Sequence, residues 1–285
     1  MHPKCFRQTK RTLSIGSGIV TVLLLALCLR MGVLATAHAS GGGPMLSSAS
    51  VNLQHSPVGT ASLSLDTATK TLTVKITLVG LAPNSTHPAH IHMDDCTASK
   101  AEILKDELMN VSADANGQGT STTVLNDMTV IPATGWYVKV HNGPSLATEA
   151  EHVDIACAAV MNPNGATSVS VPFAATGEPN EQATGIGTLT LTNGVLTVSL
   201  DVSGLVPNSA HAAHIHAGNC TNTAGVLYDM TPLMADANGH AMKVSTFAGV
   251  TSIPATGWDI NVHYSTDLTT QTGYNPILCG NVVPN

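Results

Sequence analysis

Arginine is absent from this chain beyond Arg30. Five of the eleven basic residues lie within the first 30 positions, so the remainder holds six lysines against eighteen acidic residues, a formal charge of −12. Nucleic acids and anionic membranes are bound mainly through clusters of lysine and arginine. The composition therefore argues against both as partners, and we expect neither nucleic acid nor membrane to be bound by the mature protein.

The basic residues that are present cluster at the N-terminus. They precede a mostly apolar run from Leu13 to Leu29, and Ala37-His38-Ala39 follows with the small-x-small pattern of a signal peptidase site. We predict a secretory signal at 1–39, with an uncleaved anchor as the alternative. Because seventeen residues are at the short limit for spanning a bilayer, cleavage is favoured. The protein is thus predicted to be secreted or extracytoplasmic, at the cell surface or in a periplasm.

Four cysteines follow the predicted signal. An even number of cysteines in an exported protein favours disulfides over metal thiolates. These cysteines are Cys96, Cys157, Cys220 and Cys279.

An internal repeat organises the mature chain. The run Gly80-Leu-Ala-Pro-Asn-Ser85 recurs as Gly204-Leu-Val-Pro-Asn-Ser209, 124 residues later. Solenoid repeats have periods of roughly 20 to 50 residues, so this longer period indicates a duplicated domain. We predict two tandem domains, at 45–161 and 168–285.

Alternation of small polar and apolar residues predicts strands in both copies. Leu72-Thr-Val-Lys-Ile-Thr-Leu78 and Val195-Leu-Thr-Val-Ser-Leu-Asp-Val202 show this period of two. Asn193-Gly194 lies between two such runs and is typical of a type I′ hairpin. Only Ala101 to Leu108 has a helical pattern. The predicted fold is all-β, with two tandem Greek-key β-sandwiches or flattened β-barrels.

Each copy carries a His-x-x-His-x-His cluster, and a further histidine ends a later strand. Side chains two apart on a strand share a face, so His90 and His92 form a chelating pair, and His141 would join them from a neighbouring strand. Three imidazoles with open positions for water suit Cu(II) or Zn(II). Chance alternation on a polar strand face is the alternative, but the whole spacing recurs in the second copy. The second set is His214, His216 and His263.

The motifs around these histidines resemble those of Cu/Zn superoxide dismutases. The run from Gly80 to His92 resembles the family's Gly-Leu-x-Pro-Gly-x-His-Gly-Phe-His-Ile-His stretch. Later motifs resemble the family in the same order: Asn110-Val-Ser-Ala-Asp-Ala-Asn-Gly117, Val138-Lys-Val-His141 and Ile155-Ala-Cys157. By this resemblance the six histidines above would be copper ligands, and His87 and His211 structural neighbours. It also implies the disulfides Cys96–Cys157 and Cys220–Cys279.

Two departures from the dismutase pattern bear on function. The thirteen residues between Cys96 and Asn110 contain no histidine, whereas the family carries its bridging histidine and remaining zinc ligands there. Zinc is therefore not expected at a family-type site. The family's active-site arginine is replaced by Asp154 in the first copy and Pro276 in the second. Superoxide is an anion that fast dismutases attract with positive fields, so whether this chain is an enzyme stays open.

A second resemblance is to the chordin-type CHRD domain, an extracellular β-domain without an established catalytic role. Ala213-His-Ile-His-Ala-Gly218 and Gly135-Trp-Tyr-Val-Lys-Val-His141 carry this similarity. Three hypotheses follow: a copper-binding, superoxide-dismutase-like protein with superoxide as candidate substrate; a noncatalytic extracellular binding or structural module; and a protein that sequesters copper without turnover. His152, present in the first copy only, is a candidate extra ligand.

Overall fold

The structure is a computed structural model that describes residues 47–97, Leu104 and 108–285. The predicted signal at 1–39 lies outside these residues, as does most of the predicted helical stretch at 101–108. Leu108 itself begins a strand. Among the residues described, no helix has the length and apolar character needed to cross a lipid bilayer.

Strands make up almost all of the regular structure. The elements of the first half are β1 (Ser48–His55), β2 (Val58–Asp66), β3 (Thr71–Val79), β4 (Thr86–Met93), β5 (Leu108–Ala113), β6 (Gly119–Leu125), β7 (Trp136–His141), α1 (Glu149–His152) and β8 (Asp154–Ala159). Those of the second half are β9 (Ser168–Pro172), β10 (Thr184–Thr192), β11 (Val195–Ser203), β12 (Ala210–His211), β13 (Ala213–Asn219), β14 (Asn222–Asp229), β15 (Leu233–Met234), β16 (Ala241–Ala248), β17 (Trp258–His263), α2 (Gln271–Tyr274) and β18 (Pro276–Pro284).

The alternating sequence runs form the strands that they predict. Every second residue of β3 and β11 is buried, because successive side chains on a strand point to opposite faces. Asn193 and Gly194 have φ angles of 50° and 76° and join β10 to β11 as a two-residue hairpin. The predicted all-β fold is confirmed.

The strands form two curled eight-stranded sheets, which we name the first and second barrels. The first barrel has the order β8-β7-β4-β5-β6-β3-β2-β9, and a bridge between Cys157 and Ala174 brings its two ends together. The second barrel has the order β14-β13-β17-β18-β1-β10-β11-β16, and β12 pairs with β15 beside it. Each barrel encloses its own hydrophobic core.

The barrels do not follow the predicted ranges 45–161 and 168–285, because each barrel takes one strand from the other half. Strand β1 pairs with β10 and β18, so Leu53 is buried in the core of the second barrel. Strand β9 pairs with β2, so Val171 is buried in the core of the first. The two halves of the chain are therefore intertwined by a reciprocal exchange of strands.

The connection between β1 and β2 gives a physical reason for this exchange. It consists only of Ser56 and Pro57. A type I′ hairpin turn needs positive φ at both central residues, and proline cannot adopt it at the second. The chain does not fold back at Ser56, whose N–H donates to the Ile277 carbonyl of the second barrel while its hydroxyl donates to the Gly80 carbonyl of the first.

Side-chain amides also join the barrels. The Gln271 amide accepts from the N–H of Thr86 (3.0 Å) and donates to the Thr86 carbonyl (2.8 Å). Oδ1 of Asn275 accepts from the N–H of Ala82 (2.9 Å). Helix α2 thus contacts the first residue of β4, the strand that carries His90 and His92, and Asn275 contacts the loop before it.

Candidate metal centres

The predicted histidines come together in two triads. In the first triad, His90 and His92 lie on one face of β4 and His141 ends the adjacent strand β7. One ring nitrogen of each lies within 4.8 Å of the others. The second triad repeats this on β13 and β17 with His214, His216 and His263, again within 4.8 Å. All six side chains are buried.

Two ring nitrogens approach closely in each triad. Nδ1 of His90 lies 3.1 Å from Nε2 of His141, and Nδ1 of His214 lies 3.1 Å from Nε2 of His263. Nδ1 of His141 donates to the His152 carbonyl (2.9 Å), so in the neutral ring Nε2 directs a lone pair toward His90. Nδ1 of His263 donates likewise to the Tyr274 carbonyl. Adjacent metal ligands have this separation, since each nitrogen lies about 2.0 Å from a shared cation.

His216 provides an independent test of whether a cation fits. Its Nδ1 donates to the Ala224 carbonyl (2.9 Å), which leaves Nε2 as an acceptor. Nε2 is buried and has no hydrogen-bond partner among the described residues. A buried acceptor without a partner is costly, and a bound cation would satisfy it. The second triad therefore fits a metal ion.

Burial favours the neutral form of four of the six triad imidazoles, those of His90, His214, His216 and His263. It lowers the pKa of His90 to about 4, with the neighbouring His141 and His92 adding to the effect. It lowers the pKa of His263 to about 3 and also lowers those of His214 and His216. Only a neutral imidazole has a free lone pair, so these four rings are ready to bind metal at neutral pH.

His87 and His211 lie beside the triads. Nδ1 of His87 donates to the backbone carbonyl of His141 (2.8 Å), and its Nε2 pairs with the Ser85 hydroxyl (2.7 Å). His211 makes the same contacts to His263 and Ser209, at 2.8 and 2.7 Å. These rings join β4 to the end of β7 and β12 to the end of β17. The structural role that the dismutase resemblance implies for them stays a prediction.

Both disulfides implied by that resemblance are present, Cys96–Cys157 and Cys220–Cys279. Cys220 and Cys279 also lie near the buried carboxylate of Asp259. Because the two sulfurs are bonded to each other, this group is not a thiolate site. His152 is not among the residues whose ligand atoms group within 4.8 Å at the first triad.

Sequence reasoning missed the contribution of Lys139. Its ammonium group pairs with Asp154, the residue at the position of the family's arginine. Oδ1 of Asp154 also lies 2.9 Å from Nδ1 of His141. These partners hold the pKa of Asp154 below its usual value even though burial raises it. Alternation places Lys139 on the same face as His141, two residues later, but it does not reveal the contact with Asp154.

The second triad lies beneath residues of the first barrel. A cavity of about 20 Å³ is bounded on one side by His216 and His263, and on the other by Leu81, Pro83 and Asn116. This volume holds about one water molecule. Contact between the barrels thus limits the space over the second triad.

The comparison with protein families matches residues 162–267 to the CHRD domain. The matched stretch contains all three histidines of the second triad and covers less than half of the chain. A comparison with curated protein sequences gives no match. The CHRD match agrees with the second resemblance found in the motifs, whereas the similarity to superoxide dismutases stays a prediction.

Proposed function

We propose that this protein is an exported copper-binding module that holds one copper ion at each three-histidine triad. The observation that carries the proposal is the recurrence of one geometry, with nitrogens 3.1 Å apart in both halves of the chain. Packing of apolar side chains does not require six buried imidazoles. The CHRD match and the two disulfides support export and an extracellular setting.

Ligand chemistry favours copper over the other common metals. Imidazole nitrogens suit copper and zinc, and a given nitrogen site binds Cu(II) more tightly than Zn(II). Calcium and magnesium prefer oxygen ligands. The segment between Cys96 and Asn110 has no histidine for a neighbouring zinc site of the dismutase kind.

Several features favour binding over turnover. The mature chain has no arginine to attract an anion, and its formal charge is −12. The second triad is covered by the first barrel. Copper sequestration therefore agrees with more of these features than catalysis does.

Superoxide dismutation at the first triad is the second candidate function. Lys139 lies opposite His90 on the adjacent strand and supplies a cation close to the ligands. Its pairing with Asp154 reduces the positive field that an anion would meet. We therefore expect any dismutase activity to be slow.

Copper loading of wild type and a His90→Ala/His214→Ala double variant tests both candidates. We expect about two copper ions per wild-type chain and a large loss in the variant. The matched control is His240→Ala, which removes a histidine that is 38% exposed and outside both triads. No stoichiometric copper in wild type would exclude both metal hypotheses and leave a noncatalytic structural module. Superoxide decay measured on the same samples separates sequestration from turnover.

A further inference from the structure

The two triads differ in the groups that accept a hydrogen bond from Nδ1 of the histidine at the end of the second strand, His141 or His263. Nδ1 of His141 faces two acceptors at 2.9 Å, the His152 carbonyl and the carboxylate of Asp154. Nδ1 of His263 faces the Tyr274 carbonyl. The pairing registers explain the difference, since His141 lies opposite Asp154 whereas His263 lies opposite Pro276. Proline has no side-chain acceptor for the imidazole.

A second difference accompanies the first. Lys139 pairs with Asp154 and lies opposite His90, whereas Asn261 is the residue opposite His214. Both members of the ion pair are nearly buried, with 13% and 9% of their side chains exposed. A buried carboxylate is stable only when it is paired or hydrogen-bonded. The ammonium of Lys139 therefore keeps an anionic carboxylate against His141.

The second triad has a weaker counterpart. Asp229 places a carboxylate oxygen 3.6 Å from Nε2 of His214, and 67% of its side chain is exposed. This separation is too long for a hydrogen bond, and water competes at an exposed group. Asp229 thus does not orient its histidine as Asp154 does.

We infer that Asp154, supported by Lys139, positions His141 and makes the first triad the tighter Cu(II) site of the two. This inference rests on the proposed copper-binding function. A carboxylate that accepts from the outer nitrogen of a ligating histidine fixes its tautomer and increases the electron density on the inner nitrogen. Loss of such a partner weakens metal affinity by about 10 to 100 fold. The two sites therefore fill in sequence, the first triad before the second.

Titration of the full mature protein with Cu(II) against a competing chelator tests this order. We expect two affinity classes in wild type that differ by about 10 fold or more. His90→Ala should remove the tight class, and His214→Ala should remove the weak one. Two indistinguishable classes, or removal of the weak class by His90→Ala, would overturn the inference while leaving the proposed function intact. Absence of stoichiometric copper would instead overturn the proposed function.

Variants at Asp154 separate positioning from folding. Asp154→Asn should weaken the tight class about 10 to 100 fold and shift the electron paramagnetic resonance spectrum of the first copper ion. Asp154→Glu should restore part of the affinity and part of the wild-type spectrum. The Asp154→Asn/Lys139→Gln double variant leaves no unpaired buried charge and should bind as weakly as Asp154→Asn. Asp229→Asn is the matched carboxylate control and should leave the tight class unchanged. Full affinity and an unchanged spectrum in folded Asp154→Asn would refute the role of this residue.

Discussion

At the residue scale, the candidate sites depend on histidines that are buried in the neutral form. His87 is fully buried, and burial lowers its pKa from 6.5 to about 4. Its two ring nitrogens connect β4 to the backbone of His141 and to Ser85. Burial disfavours the charged ring, so protonation of His87 opposes folding.

This burial predicts an acid-sensitive metal-free protein. Between pH 6.5 and about 4, the unfolded chain takes up a proton at position 87 and the folded chain does not, so the free energy of unfolding falls as the pH falls. Each such histidine contributes a slope of about 1.4 kcal/mol per pH unit within that window. Urea unfolding from pH 4.5 to 7 gives the free energy of unfolding as a function of pH. The slope of this function should correspond to one fewer proton in His87→Gln than in wild type. An identical slope in wild type and variant would contradict this account.

The grouping of the triad histidines could be predicted from sequence, whereas the contacts of Asp154 with His141 and Lys139 could not. Alternation places His90 and His92 on one face whatever the surrounding fold. The contact between Asp154 and His141 depends on an irregularity in the pairing of β7 with β8, which sequence periodicity does not reveal. The sequence shows Asp154 only as an acidic residue in place of an arginine, whereas in the structure Lys139 compensates its charge.

At the element scale, the exchanged strands tie the two halves of the chain together. Strand β1 lies between β10 and β18, so it is a central strand of the second barrel. The repeat in the sequence predicts two similar units. It does not reveal whether β1 and β9 pair within their own halves of the chain or, as observed, each with the other half. Only the connections distinguish the arrangements, namely two residues at Ser56-Pro57 and the longer segment 173–183.

Truncation of a core residue in β1 should therefore destabilise the second barrel, although β1 belongs to the first half of the chain. Leu53→Ala removes a fully buried side chain from the second core and should cost about 2–5 kcal/mol. Native-state hydrogen exchange should show lower protection in β10 and β11, with less change in β3. The matched variant Leu63→Ala, in the first core, should give the opposite pattern. Loss of protection centred on β3 in Leu53→Ala would contradict the exchange.

At the scale of the whole molecule, each barrel is fastened by its own disulfide close to its histidines. Cys96 follows His92 by four residues and is bonded to β8 through Cys157. Cys220 similarly follows β13 and is bonded to β18 through Cys279. These bonds tie the segments that follow β4 and β13 to another strand of the same barrel.

The cysteines should accordingly be oxidised in the mature protein. Thiol titration after unfolding without reductant should detect almost no free thiol, and four reactive thiols would contradict the pairing. Removal of a native disulfide typically costs about 2–5 kcal/mol. Reduction should therefore lower the thermal unfolding midpoint, measured against the untreated protein at the same pH.

The coordination of bound copper tests the central claim most directly. X-ray absorption of the protein loaded with two copper ions should show about three imidazole nitrogens per copper at about 2.0 Å, with no sulfur ligand. The His90→Ala/His214→Ala double variant, loaded under the same conditions, should lose this signature. Copper bound by oxygen alone, or an imidazole count that the double variant leaves unchanged, would contradict the assignment of the two triads as copper sites.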